Sequence, residues 1–224
     1  MNFIRLQQDY DDPRSLASRF RRARMRLVVE LIRTTFAEKG SCRILDLGGR
    51  PEYWRMIDRQ VLEDCKVTVT TLNTEPQDTV DDPMFEQRVG DACALDAADD
   101  AFDLAHSNSV IEHVGDWARM EQFAAETRRV APRYFVQTPY FWFPIEPHLS
   151  APFVHWAPAP MQARWLIKRG HAFVARTDDM ASAMRAVQDA RLLDKAMMRH
   201  LFPDARLEEE KVAGLTKSLM AIRA

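Results

Sequence analysis

Between residues 42 and 138 the chain repeats one pattern, a short β-like run followed by a helix-like stretch or a brief connection. The β-like runs are 42–47, 67–72, 85–89, 102–106 and 134–138, and the helical stretches 52–64 and 116–130. Such alternation predicts a parallel sheet covered by helices on both faces. Ahead of it, residues 14–38 read as a helix, with Leu16, Phe20, Leu27, Leu31 and Ile32 near helical spacing and Gly40 ending it. Behind it comes a helical region over 162–199, then two strand candidates, 205–210 and 217–222, split by Gly214.

At 224 residues the chain suits one domain. Its net charge of −2 offers no basic surface for nucleic acid. The one local exception is Arg19, Arg21, Arg22, Arg24 and Arg26, which read as the solvated face of a helix. Cys42, Cys65 and Cys93 lie far apart without a CxxC pair. They predict small buried residues in a reducing compartment, neither zinc ligands nor a disulfide framework. No signal-peptide pattern and no apolar run of about 18 residues is present, so a cytoplasmic location is expected.

After residue 138 the texture changes. The stretch PYFWFPIEPHLSAPFVHWAPAP crowds prolines, aromatics and histidines into a segment that can be neither regular helix nor central strand. It follows the fifth β-like run. Ligands of open α/β sheets sit at the carboxyl ends of the strands, so this segment is expected to roof the crevice.

Four strand ends carry polar or glycine-rich signals. The first run closes on Asp46, Gly48 and Gly49, where glycine lets backbone approach a ligand. The second closes on Asn73, with Glu75 two residues on; either side chain can meet a ribose hydroxyl. The third closes on Gly90, Asp91 and Ala92, where a carboxylate can accept from an adenine amine, and HSNSVIEHVGDW follows the fourth.

Together these motifs resemble the class I S-adenosylmethionine-dependent methyltransferases, most closely their methyltransferase-11-like branch. ILDLGG is similar to the family's first motif, and GDACALDAADDAFDLAHSNSVIEHV to its most specific stretch. The resemblance implies a Rossmann-like, mostly parallel seven-stranded sheet with helices on both faces and an antiparallel final strand. On this reading 1–224 is a single domain with a helical extension at 1–39 and an acceptor-side insertion at 139–199. Asp46, Gly48 and Gly49 would hold the methionine end of S-adenosylmethionine, Asn73 and Glu75 the ribose, and Asp91 with Ala92 the adenine. Asn108 and Ser109 would border the reactive centre.

The family's G-x-G-x-G becomes Gly48, Arg50, Glu52, and its ribose-binding acid becomes Asn73. These departures keep open a non-catalytic relative that binds or scaffolds. A nicotinamide oxidoreductase would want G-x-G-x-x-G before its first helix, which is absent.

In the Pro-rich segment, Trp142, Phe143, Phe153 and Trp156 are expected to line an acceptor pocket. His148 is the leading general base for a hydroxyl acceptor and His155 the second choice, with His106 and His113 as competitors. Glu146, His148 and His155 are too irregularly spaced to predict a metal. A small molecule, a glycan or a lipid precursor is the expected acceptor.

Overall fold

The structure, a computed structural model, describes residues 16–148, 151–169 and 179–224. The expectations for residues 1–15, 149–150 and 170–178 lie outside the described residues. In chain order the elements are α1 (Leu16–Lys39), β1 (Cys42–Leu47), α2 (Pro51–Trp54), α3 (Arg59–Asp64), β2 (Val67–Asn73), β3 (Phe85–Val89) and β4 (Leu104–Asn108). Then come α4 (Trp117–Val130), β5 (Arg133–Pro139), a hairpin of β6 (Ile145–Glu146) and β7 (Ala151–Pro152), and α5 (Ala159–Arg169). The chain ends with α6 (Met180–Gln188), α7 (Lys195–Leu201), β8 (Arg206–Val212) and β9 (Leu215–Arg223).

Seven strands form one sheet in the order β3–β2–β1–β4–β5–β9–β8. The first five are parallel, and β9 runs antiparallel to both its neighbours. Successive side chains on a strand face opposite sides, and the core obeys this. Ile44 and Phe135 pack with Met25, Val28, Leu31 and Ile32 of α1 on one face. Leu45, Leu47, Tyr134 and Val136 pack with Phe123 and Ala124 of α4 on the other. The expected seven-stranded Rossmann-like sheet with helices on both faces is therefore present. Strand order reverses between β2 and β4 on either side of β1, so the crevice opens at the carboxyl end of β1.

Several elements depart from the sequence reading for local reasons. The helix expected at 52–64 is two short helices, because Asp58 leaves the helix and caps α3, accepting from the Gln60 amide at 3.0 Å. The fourth strand starts at Leu104, later than 102, because the Phe102 amide bonds the Val130 carbonyl at the end of α4 (3.0 Å). Among its described residues the Pro-rich segment forms the short hairpin β6–β7, apart from the main sheet, and a 3-10 turn at Val154–Trp156. All three cysteines are buried and free, and burial pushes the Cys42 thiol up to about 12. Among the described residues no helix is long and apolar enough to cross a membrane.

The arginine-rich helix does not keep all its charges in water. Arg19, Arg22 and Arg26 are exposed, but Arg24 is buried.

Away from the crevice, Asp103 ties α1 to β1 from beneath the sheet. It accepts from the Arg43 amide and side chain and from Lys39 Nζ at 2.8–3.1 Å. Burial alone would raise its pKa; the Arg43 and Lys39 hydrogen bonds outweigh this and hold it at about 2. A depressed folded pKa adds stability that is present above the ordinary value of 3.8 and is lost as pH falls towards about 2. Asp103→Asn should cost about 1–2 kcal/mol at pH 7, held to that range because both cations are partly solvated. Urea melts of parent and variant at pH 7, 4 and 2 should show the deficit shrinking below pH 4.

Candidate functional site

The first motif is built from inside. Asp46, next to last in β1, is fully buried, with Oδ2 accepting from Trp54 Nε1 at 2.8 Å and Oδ1 accepting from His106 Nδ1 at 2.6 Å. His106 stacks on Phe135, and its other ring nitrogen is buried without a partner. The Asp46 carboxylate turns under the loop, so a Cβ at Gly49 would fall 1.7 Å from its oxygen. Gly48 has φ of +70°, and Val110 presses against it; a Cβ there would lie 2.6 Å from Val110 Cγ2. Both glycines are required by the protein's own packing.

Asn73, at the end of β2, donates from Nδ2 to the Gly49 carbonyl at 2.9 Å, so it locks the loop. Glu75 is exposed two residues on. Asn108 ends β4, and its Oδ1 accepts from Arg24 Nη1 (2.6 Å) and from the Tyr53 hydroxyl (3.2 Å). Burial pushes the Tyr53 phenol up to about 12, which keeps it a donor. Ser109 takes a left-handed φ of 58° and is held twice by Gln137, through its amide (2.9 Å) and its hydroxyl (3.0 Å).

Asp46, Gly48, Gly49 and Asn108 line a cavity of about 360 Å³ together with Arg21, Arg50, Glu52, Tyr53 and His106. The two residues that replace glycines of the family pattern, Arg50 and Glu52, thus stand at the cavity wall. A neighbouring cavity of about 350 Å³ is lined by Leu72, Val89, Gly90 and Asp91. Arg119 grips both Asp91 oxygens at 2.6 Å and, with the Cys93 amide, holds this carboxyl below its ordinary range. Ala92 instead packs against the core.

The two loop histidines meet in a third cavity of about 250 Å³, with Phe141, Gln162 and Arg191. His148 donates from Nδ1 to Glu146 at 2.7 Å, and His155 donates from Nε2 to the Phe141 carbonyl at 2.8 Å. Burial opposes a charge on His148, but the Glu146 carboxylate outweighs it and raises the pKa. Trp142, Phe143, Phe153 and Trp156 lie outside this lining. Trp142, Phe153 and Trp156 form an exposed chain of rings with centroids 5.0 and 6.1 Å apart, and Phe143 is half-buried. Behind the histidines sits Glu112, fully buried, accepting from the Thr138 hydroxyl at 3.0 Å; burial pushes its carboxyl up.

Sequence reasoning missed Arg24, Tyr53, Gln137 and Glu112. Only Glu112 carried a signal, through its place in the family's EHV stretch. Gly49→Ala should destabilise the protein by about 3 kcal/mol, the upper range for overpacking, because the Asp46 carboxylate cannot move without losing Trp54 and His106. A thermal melt matching the parent would show that Asp46 has another place to go.

Residues 48–133 match the family model of the methyltransferase domain Methyltransf_11. No curated protein matches the sequence. Among solved structures, a candidate exported protein from Bordetella parapertussis superposes with a TM-score of 0.51 at 16% identity, covering 89% of this chain and 68% of that one. A chain of the Haloferax volcanii complex between the Trm112 methyltransferase activator and a candidate methyltransferase gives 0.50 at 14%, covering 85% and 87%. At these identities the superpositions establish the fold. S-adenosylmethionine is the cofactor of this domain type, and the donor set fits it. The cavity at β1 offers arginines and Glu52 to an amino-acid end, and the cavity at Gly90 offers an ionised Asp91 to an amine. The match over residues 48–133 and the order of the seven strands together give this chain the Rossmann-like fold of the class I methyltransferases.

Proposed function

We propose that the chain methylates a small-molecule, glycan or lipid-precursor acceptor. The observation that carries this reading is the pair of cavities at the carboxyl ends of β1 to β4, with a third, histidine-lined cavity formed by the Pro-rich segment and α6. Bound S-adenosylmethionine would supply a methyl group on a sulfonium, open to in-line displacement.

The chain's own residues would do the rest. Arg21, Arg50 and Glu52 would receive the cofactor's carboxylate and amine beside Gly48 and Gly49, and Glu75 the ribose. Asn73 acts indirectly, by fixing the Gly49 carbonyl. Asp91, kept ionised by Arg119, would accept from adenine. Asn108 and Ser109 sit where the acceptor would approach. On the acceptor side the His148–Glu146 pair is the group we assign to proton removal, since Nδ1–H is donated to the carboxylate and Nε2 is left as acceptor. His155 stands second, and the exposed rings of Trp142, Phe153 and Trp156 offer an apolar platform.

One observation favours a second reading. Asn73 and Asn108 are both already engaged within the protein, as they would be in a binding protein that keeps the fold without turnover.

Calorimetry with S-adenosylmethionine and S-adenosylhomocysteine should show 1:1 binding, and silence with both would remove the enzyme reading. Asp91→Ala should weaken that binding by about 1–3 kcal/mol while the fold persists. With a hydroxyl acceptor in hand, His148→Gln should lower turnover by about 10²–10⁴-fold at unchanged cofactor affinity. An undiminished rate in His148→Gln and also in His155→Gln would move the base elsewhere.

A further inference from the structure

Glu112, His113 and His148 come from two segments far apart in sequence, the turn after β4 and the loop after β6. One ligand atom from each, a carboxylate oxygen and two imidazole nitrogens, all lie within 4.8 Å of one another. The two imidazole rings meet edge to face with centroids 4.9 Å apart.

The carboxylate adds an independent observation. Glu112 is fully buried, and Thr138 satisfies only Oε2 (3.0 Å); Oε1 is buried with no partner. A buried carboxylate oxygen without a donor is costly, and a cation is one group that would satisfy it.

The surroundings of the two rings resemble the outer shell of a metal site. Metal-bound histidine generally donates its second ring nitrogen to a carboxylate or carbonyl, which fixes the tautomer and aims the ligating nitrogen. Here His148 Nδ1 donates to Glu146 at 2.7 Å, and His113 Nδ1 lies 3.2 Å from the Asp189 carbonyl and 3.3 Å from its carboxylate. Each ring therefore keeps Nε2 for a ligand. Tetrahedral coordination at about 2.0–2.1 Å needs donors about 3.3 Å apart. The three donors would therefore have to draw together when an ion binds.

We propose that Glu112, His113 and His148 form a binding site for a divalent first-row transition ion, with Glu146 and Asp189 orienting the two imidazoles. Two imidazoles and one carboxylate suit Zn²⁺, and three protein ligands leave a position open for water or an acceptor oxygen. His148 lines the histidine cavity, so one ligand of the site faces it. With an ion bound, His148 would be a ligand rather than a base, and the ion would lower the pKa of an acceptor hydroxyl at the open position, whose proton would leave to solvent. Chelation separates the two roles: a histidine base survives it, an ion does not. The site itself stands apart from the methyl-transfer reading, because its readout is the ion.

The test uses the full chain, stripped with a chelator, dialysed and titrated with Co²⁺ as a spectroscopic probe. One equivalent should produce visible d–d absorption that Zn²⁺ then displaces. His148→Ala and Glu112→Gln should each weaken Co²⁺ binding by more than about 100-fold, and Glu146→Gln by about 10–100-fold. His155→Gln, in the same cavity but outside the set, should bind like the parent. Because Glu112 is buried, circular dichroism accompanies each variant, and the partly exposed His113→Gln provides a loss-of-ligand variant with little risk to the fold. A folded parent without Co²⁺ absorption would overturn the proposal. So would binding undiminished in both His113→Gln and His148→Ala.

Discussion

A single buried guanidinium fastens the crevice. Arg24, in the middle of α1, donates to Glu210 on β8 at 3.0 Å, to Asn108 on β4 at 2.6 Å and to Gln137 on β5 at 2.9 Å. Its side chain and that of Glu210 are 9% and 6% exposed. Removing both charges from water costs several kcal/mol each, and close pairing offsets that only when the remaining lone pairs and protons are satisfied. Much of that pairing is present: Ser218 donates to the second Glu210 oxygen at 2.6 Å, while Asn108 and Gln137 both accept from Arg24 Nη1. Four elements are thereby registered at the carboxyl edge of the sheet. The N-terminal helix is part of the site because of this residue.

That dependence explains what could be read from the sequence and what could not. The sheet was legible because its information is local: β-like runs, alternate side chains to alternate faces, and helices between them. Asp46, next to last in β1, and Gly48, Gly49 and Asp91, just past strand ends, stood out in the sequence by that position. Arg24 did not. Its partners lie 84, 113 and 186 positions away, and in the sequence it is one arginine among five on a polar-looking helix. The helix expected at 52–64 failed for a related reason. Trp54 is drawn into the core to donate to Asp46, and the chain must turn again before Asp58 can cap α3.

The altered glycine loop is coherent once its contacts are followed. In the family pattern successive glycines keep the backbone open to the cofactor. Here Gly49 is demanded by the Asp46 carboxylate below it, Gly48 by its positive φ and by Val110, and the Gly49 carbonyl is fixed by Asn73. A loop so constrained loses little entropy when a ligand settles on it. The positions freed from being glycine carry Arg50 and Glu52, which bring opposite charges to the same cavity.

The turn after β4 joins the two halves of the crevice. Asn108 faces the cavity at β1, Val110 presses on Gly48, Glu112 reaches Thr138 at the end of β5, and His113 meets His148. These directions follow from Ser109, whose left-handed backbone is sparsely populated by residues other than glycine, asparagine or aspartate and is unfavourable by about 1–3 kcal/mol. Such a conformation persists only where neighbours over-determine it. Gln137 does so with its backbone carbonyl and its side-chain oxygen, and that same oxygen accepts from Arg24. The charge that fastens α1 therefore also holds the strained turn. Through that turn it fixes where Gly48 and Glu112 stand relative to each other, one at the cofactor cavity and one behind the histidines.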